Sequence, residues 1–386
     1  MPTYHTIIIG AGASGLFCAG SFEAPKIILD HNPRPGLKVA VSGGGKCNFT
    51  NRLVTASDYQ STSKHFCKNA LAAFKPQHFT ELLQKSHITY EEREEGKLFA
   101  KHAGDIVRLL VQRAKAAHTD FSLSTEVLDI RQQEEGFCVH TSNGSLYAQH
   151  VVLACGGLSY PRLGASSWGI QMARKLDLPI IEQRPALCGL VVQKPLRTLC
   201  KTLAGNSTDV IIRLGKQTFT GSLLFTHEGF SGPAILSASL FWQEDMPITI
   251  NFLPNVDVRT FIAHHKNSTK NLSSLLPLRG SIAQTLLGTL DQPLSNASKT
   301  DIDTITRMLN GFTFIPAGSS GSTKAEVTAG GIDTQSINPS TFEVKQIPGL
   351  YVIGELLDVT GKLGGYNLHW AWASGFCAAK HLSKIS

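Results

Sequence analysis

Residues 6–30 read TIIIGAGASGLFCAGSFEAPKIILD. The apolar run Thr6-Ile7-Ile8-Ile9 leads directly into Gly10-Ala11-Gly12-Ala13-Ser14-Gly15, a G-x-G-x-x-G, and Asp30 closes a second apolar run 20 residues after Gly10. Each position has a physical task. Gly10 allows a tight turn out of a buried strand, Gly12 lets backbone approach a pyrophosphate, and Gly15 lets the following helix lie close on the sheet. The start of that helix, around Ala13 and Ser14, turns N–H groups and a positive dipole end toward the phosphates. Asp30, with His31 beside it, is placed to meet ribose hydroxyls, which suits an adenosine without a 2′-phosphate. The stretch therefore predicts a strand, a turn and a helix that bind the ADP part of a dinucleotide.

Residues 6–22 carry no charge and could just span a bilayer. Four glycines interrupt them, however, and no Lys or Arg precedes them. Neither a transmembrane segment nor a signal peptide is expected. The 386 residues are 42% hydrophobic and 17% charged, the composition of a globular chain of two or three domains. The formal charge of +7 arises from 36 basic against 29 acidic residues without a basic run. That pattern suits a phosphate-rich cofactor or an acidic small-molecule substrate better than a dedicated nucleic-acid surface. The eight cysteines include no C-x-x-C pair, which argues against a disulfide reductase, a zinc ribbon or any metal site and is consistent with a reducing cytoplasm.

Downstream, His31–Asn51 form a Pro- and Gly-rich loop containing Lys38 and then Ser42-Gly43-Gly44-Gly45-Lys46-Cys47-Asn48. Three consecutive glycines are entropically costly, so the chain must need bare backbone there, as along a diphosphate or a flavin ring. Alternating strands follow from Glu126, and an apolar strand ends at Ala154 before Cys155-Gly156-Gly157, another place where backbone can approach a ligand. Between Pro185 and Ala317 short β-rich runs predict a small barrel or sandwich, followed by short helices. Thr226–Pro233 is expected to open a helix through Leu240, placing His227 in a Gly-rich loop at its start. The last segment returns to a nucleotide-domain pattern: GLYVIGELLD (349–358) reads as a strand ending in Gly354-Glu355, and Gly364-Gly365-Tyr366-Asn367 open a helix through Trp370 and Trp372. A glycine pair at a helix start could direct N–H groups at a flavin pyrimidine ring. The tryptophans are expected in the core.

The runs GAGASGLFCA, SGGGKCNFTN, GGLSYPRLG, LLFTHEGFSGPAIL, EVTAGGI and GLYVIGELLDVTGKLGGYNLHWAWASG together resemble the bacterial family of NAD(P)/FAD-dependent oxidoreductases. This family includes the BaiN-type bile-acid-inducible flavoprotein and proteins labelled aminoacetone oxidase. The resemblance implies an α/β fold in which a Rossmann-like FAD-binding domain of the two-dinucleotide-binding-domain flavoprotein type is interrupted by a β-barrel and a small helical subdomain. The implied boundaries are 1–186 and 319–386 for the FAD domain, 187–254 for the barrel and 255–318 for the helices. Gly10, Gly12, Gly15 and Asp30 would hold the ADP half of FAD, and Val127 would meet adenine through its backbone. Gly43 to Asn48 would line the flavin, Gly354 and Glu355 the ribityl chain, and Gly364 to Asn367 the isoalloxazine.

The expected activity is hydride exchange through flavin N5 with a small organic substrate, a conjugated enone first, held between the FAD domain and the insert. No second G-x-G-x-x-G follows a strand, so NAD(P)H would bind only transiently. Two rival readings are a flavin amine oxidase that releases hydrogen peroxide and a tRNA-associated flavoprotein. The candidates for proton transfer are Tyr160, Arg162, His227 and Lys362. Of these, His227 stands out because an imidazole titrates near neutrality.

Overall fold

The computed structural model describes residues 3–386. Two compact units emerge, one formed by the chain up to Arg184 together with Val327–Ser386, the other by Pro185–Glu326.

In the first unit a parallel sheet runs in the order Thr119–Leu123, Lys26–Asp30, Thr3–Ile9, Gly144–Leu153. The second half of Gly144–Leu153 also pairs in parallel with Leu350–Val352, so a strand near the end of the chain completes a sheet begun at residue 3. Its first half turns to antiparallel partners, Gly136–Thr141 and then Val127–Gln133. The register aligns Ile9 with both Leu29 and Leu153, and Leu153 with Val352. Gly10, Asp30, Ala154 and Gly354 consequently leave the sheet at one carboxyl edge, where open α/β sheets bind ligands.

Ile7, Ile8, Val151 and Val152 are wholly buried, as expected of parallel strands covered on both faces. One covering layer is the helix Ala13–Ala19 crossed by the C-terminal helix Tyr366–Leu382. A Cβ at Gly375 would lie 2.8 Å from the Ser14 carbonyl, so the two helices touch backbone to backbone. Trp370 and Trp372 sit in this core, and both indole N–H groups donate to carbonyls, Trp370 to Gly354 at 3.0 Å and Trp372 to Phe49 at 2.8 Å. Buried rings with satisfied polar ends fix the C-terminal helix on the sheet.

The second unit is built on a seven-stranded sheet in the order Phe312–Phe314, Ile248–Asn251, Ser207–Leu214, Gln217–Phe225, Gly229–Ser231, Leu190–Val191, Gly318–Ser319, with antiparallel neighbours throughout. Val210, Ile212 and Leu214 alternate inward on one strand, the period-two pattern of a sheet with one covered face. Helices Val258–His264, Gly280–Leu287 and Lys299–Asn310 bury Ile262, Ile282, Leu286, Ile305 and Leu309 in the same core as the strands. The helix expected through Leu240 is present as Pro233–Ser239, but the position of His227 needs correcting. Phe225 and Gly229 bound a tight hairpin turn, a strand follows, and the helix starts only at Pro233 after Gly232. His227 is therefore an exposed residue at a hairpin tip, not at a helix start. Among the described residues no helix is long and apolar enough to cross a membrane.

Candidate cofactor site

The glycines at the carboxyl edge divide by what surrounds them. Gly10 has φ +114, and a Cβ there would stand 2.4 Å from the Ala154 carbonyl oxygen; one at Gly15 would stand 2.0 Å from the Gly10 oxygen. These two glycines, with Ala154 beneath them, are required by the packing of the protein on itself. A Cβ at Gly12 would meet no protein atom within 4 Å. Gly12 caps the helix Ala13–Ala19 without a side-chain acceptor, so the open side of the turn presents backbone alone. Ser14 is buried, its hydroxyl set against Gly354.

The Asp30 carboxylate is already engaged. It accepts from the Ala11 N–H at 2.7 Å, the Asn32 N–H at 2.8 Å and the Asn32 amide at 3.0 Å, tying the glycine turn to the end of the second strand. A carboxylate offers about four lone-pair directions, so acceptor capacity remains for a ribose diol. His31 is half exposed, its Nδ1 3.8 Å from Asp30 Oδ1. Ser124 and Thr125 donate backbone N–H groups to the Asn32 and Asp30 carbonyls at 3.1 and 3.0 Å, which brings the backbone leading to Val127 beside Asp30.

The triple-glycine stretch ends a helix, Leu37–Gly45, whose geometry breaks at Ser42 (ψ 146) and enters the left-handed region at Gly43, Gly44 and Gly45 (φ 56, 66 and 82). Side chains would strain this run by roughly 1–2 kcal/mol per residue. At Gly43 a Cβ would also strike the Asn48 N–H at 2.8 Å, whereas Gly44 and Gly45 face open space. Lys46 is exposed beside them. Cys47 turns inward, and burial pushes its thiol up to about 12. The Asn48 amide is likewise spent on the protein: it donates to the Leu98 and Thr50 carbonyls and accepts from the Gly365 N–H, each at 3.0 Å. Sequence reasoning placed Cys47 and Asn48 against the flavin, and the structure corrects both side chains to internal roles.

Lys38 donates to Glu355 Oε2 at 2.7 Å and to the Ser159 hydroxyl at 2.5 Å. Glu355 Oε1 accepts from the Thr328 N–H at 2.8 Å and from Ser159 Oγ at 3.2 Å. The Thr328 hydroxyl in turn accepts from the Leu158 and Ser159 N–H groups at 2.8 and 3.1 Å. This network stitches the loop after Leu153 to the C-terminal part of the unit and leaves Gly156 (φ +72) with open space before it. Lys38 and Glu355 are thus partners, a relation no local motif signals, and Ser159, Thr328 and Asn32 carried no pattern that would have singled them out.

Gly365 (φ +94) caps the C-terminal helix, and a Cβ there would lie 2.4 Å from the Thr50 carbonyl oxygen. Gly364 (φ +117) lies against the stem of Lys97. Tyr366 is buried, its phenol pushed up to about 12 by burial. The Asn367 amide accepts from the Gly361 N–H at 2.8 Å and donates to the Gly361 carbonyl at 2.9 Å. These side chains close their own loop.

Of the proton-transfer candidates, Tyr160 (φ +63) follows the Gly156-Gly157 loop, with the Lys38 ammonium 5.8 Å from its ring centre. Arg162 is exposed in the turn Pro161–Leu163, and the next residue but one, Gly164, packs on Asn32 beside Asp30. Lys362 is paired with Asp58 at 2.8 Å. His227 belongs to the second unit. Among the described residues no group of three His, Cys, Asp or Glu side chains is arranged to hold a metal.

An edge where Gly12, Gly44, Gly45 and Gly156 offer unobstructed backbone, with a carboxylate at the end of the second strand, fits a long diphosphate-bridged cofactor. The sequence profile described as "HI0933-like protein Rossmann domain" matches residues 4–381. The chain belongs to this family. It is 39% identical over 394 residues to the ribosomal RNA dihydrouridine synthase of Escherichia coli (strain K12), covering 99% of this chain and 98% of that protein. It is 29% identical over 402 residues to the 3-dehydro-bile acid delta(4,6)-reductase of Clostridium scindens, covering 97% of each. Among solved structures, 3-ketosteroid delta1-dehydrogenase from Sterolibacterium denitrificans shares the fold at TM-score 0.52 and 12% identity, with the whole of both chains covered. The protein is a Rossmann-fold FAD-dependent oxidoreductase.

Proposed function

We propose that this protein reduces the C5=C6 bond of uracil in ribosomal RNA, yielding dihydrouridine. The end-to-end identity of 39% with a ribosomal RNA dihydrouridine synthase carries this reading. The second relative supports the same chemistry, since its name specifies an alkene in a 3-dehydro, that is 3-keto, compound. In both cases the reduced double bond is conjugated with a carbonyl, which makes its far carbon a hydride acceptor. FAD, when bound, supplies that hydride from N5. NAD(P)H is the proposed donor, bound transiently, because the chain has a single G-x-G-x-x-G after a strand.

The residues of the first unit divide the remaining work. Gly12, Gly156 and the turn into Ala13 would hold the diphosphate, Asp30 and the backbone near Val127 the adenosine, and Gly44, Gly45 and Lys46 the flavin side. Lys38 and Glu355 would fix the loops between. Tyr160 is the proposed source of the proton that completes saturation, because its phenol is carried by the loop that follows Gly156-Gly157 at the carboxyl edge, where the cofactor would lie.

The test is to incubate the FAD-loaded protein and NADPH or NADH with rRNA from a strain lacking the gene, then digest to nucleosides for mass spectrometry. A uridine that gains two hydrogens only with enzyme and reductant is the expected result. Unaltered RNA, combined with reduction of a 3-keto steroid carrying a conjugated alkene, would move the assignment to the second relative's substrate class. Hydrogen peroxide from an amine without reductant would move it to an oxidase.

A further inference from the structure

We propose that the second unit carries the RNA-binding surface, a cationic face formed by the helix Leu196–Thr202 with Lys194, Arg279 and Lys324, which grips the phosphate backbone of the RNA. The inference rests on the function proposed above and names where that substrate is held.

The face is continuous. Arg197 and Lys201 are one helical turn apart on one side of the helix, and Lys194 precedes it; all three are exposed. The residues after the helix turn back to Asn206, whose side-chain oxygen accepts from the exposed Arg279 at 3.1 Å. On the other flank Glu228 lies 3.9 Å from the Arg197 guanidinium and accepts from Lys324 at 2.9 Å. One carboxylate thus links two cations into the group. Among the described residues no carboxylate lies within ion-pair distance of Lys194, Lys201 or Arg279. His227, exposed at the hairpin tip next to Glu228, adds a flat ring on which an unstacked base could lie.

Exposed cations grouped in this way, with Lys194, Lys201 and Arg279 lacking a carboxylate at ion-pair distance, are what a polyanion recognises, because each phosphate neutralised releases a condensed counterion. An anionic membrane is the rival polyanion, but a membrane-surface helix also needs an apolar face to insert. None of the large exposed apolar side chains, Val41, Leu53, Leu128, Ile315 and Ile385, belongs to this helix or to the residues grouped with it. RNA is therefore the partner this face fits.

The test compares wild type, an R197A/K201A/R279A variant and an R213A/K216A variant. Arg213 and Lys216 are exposed at the far end of the strand pair Ser207–Leu214 and Gln217–Phe225, away from Asn206. Each FAD-loaded protein is titrated with a short labelled hairpin RNA over a range of salt, with melting temperature and FAD content as checks of folding. The first variant should bind at least about tenfold more weakly at low salt, and its log affinity should fall with log salt by roughly 2 fewer units. The second should bind nearly as wild type, and an R197K/R279K variant should restore most of the affinity. Equal binding by wild type and the R197A/K201A/R279A protein would overturn the surface while leaving the function intact. No salt-dependent RNA binding by wild type would overturn both. If that variant instead lost binding only to phosphatidylserine vesicles, the face would belong to a membrane and the inference would fail.

Discussion

The Lys38 ammonium and the Glu355 carboxylate meet at 2.7 Å across most of the length of the chain, and they do so at the carboxyl edge of the parallel sheet. Glu355 also accepts from the Thr328 N–H and the Ser159 hydroxyl, so one side chain ties together a helix, a strand and a loop. Glu355→Ala should leave the Thr328 N–H without its acceptor and cost about 2 kcal/mol. The loop bearing Gly156 should loosen with it. We expect the purified variant to retain its fold by circular dichroism yet lose the visible flavin spectrum on gel filtration, with Glu355→Gln intermediate. Full retention of flavin by the alanine variant would reduce the network to a surface ornament.

Gly10 and Gly12 should separate when each is replaced by alanine. Gly10→Ala places a methyl group 2.4 Å from the Ala154 oxygen at φ +114 and should destabilise the apoprotein by about 3 kcal/mol or more. Gly12→Ala meets no protein atom and keeps an ordinary negative φ, so it should cost at most about 1 kcal/mol. Its effect should fall on FAD affinity, weakened at least about tenfold. Urea titration of the apoproteins and flavin titration of the folded ones measure the two effects independently.

The difference between these two glycines also marks how far the sequence could be read. The strand, turn and helix from Thr6 to Asp30 were legible because each step is local: apolar run, glycine spacing, acid at a set distance. The return of the chain at Gly349 was legible for the same reason. What stayed hidden depends on residues far apart in sequence. Lys38 reads as a polar contact along a diphosphate or a flavin ring until Glu355 is placed beside it, and Asn48 reads as a flavin contact until its amide is seen holding Gly365. Gly232 and Pro233 do start a helix, and a local reading draws the residues before them into its lead-in, so the hairpin at His227 stays hidden. In fact Gly229 lies against the Leu190 carbonyl of a neighbouring strand, which only the folded sheet supplies.

Acid should destabilise the first unit through two histidines, His369, which is buried, and His150, which is half-buried. The His369 ring donates to the Phe74 carbonyl at 3.1 Å and accepts from the Thr50 hydroxyl at 2.8 Å, and burial lowers its pKa to about 4. His150 falls to about 4 through burial and the nearby His5 and His381. With unfolded values near 6.5, the unfolded chain binds more protons between about pH 6.5 and pH 4. Stability is therefore fully present above about pH 6.5 and is lost as pH falls through the folded values, by about 3 kcal/mol for His369 once protonated. Urea midpoints should fall over this range, and His150→Phe should flatten the slope. A midpoint independent of pH would contradict these neutral rings.

The thiols should take no part in electron transfer. Cys47 is the one that sequence position makes suspicious, since it follows the triple glycine, but its side chain is fully buried and its thiol is pushed up to about 12 by burial. Cys18 and Cys155 are raised equally, and Cys67 and Cys377 to about 11. The nucleophile is the thiolate, so these groups should resist alkylation by iodoacetamide near about pH 8 until the chain is unfolded. Cys47→Ala should keep the flavin spectrum and the rate at which reductant bleaches it, apart from a modest loss of stability from the small cavity left in the core. A variant that bound FAD normally but could no longer be reduced would put that sulfur in the electron path, and the direct transfer between flavin and substrate assumed in the proposed function would have to be abandoned.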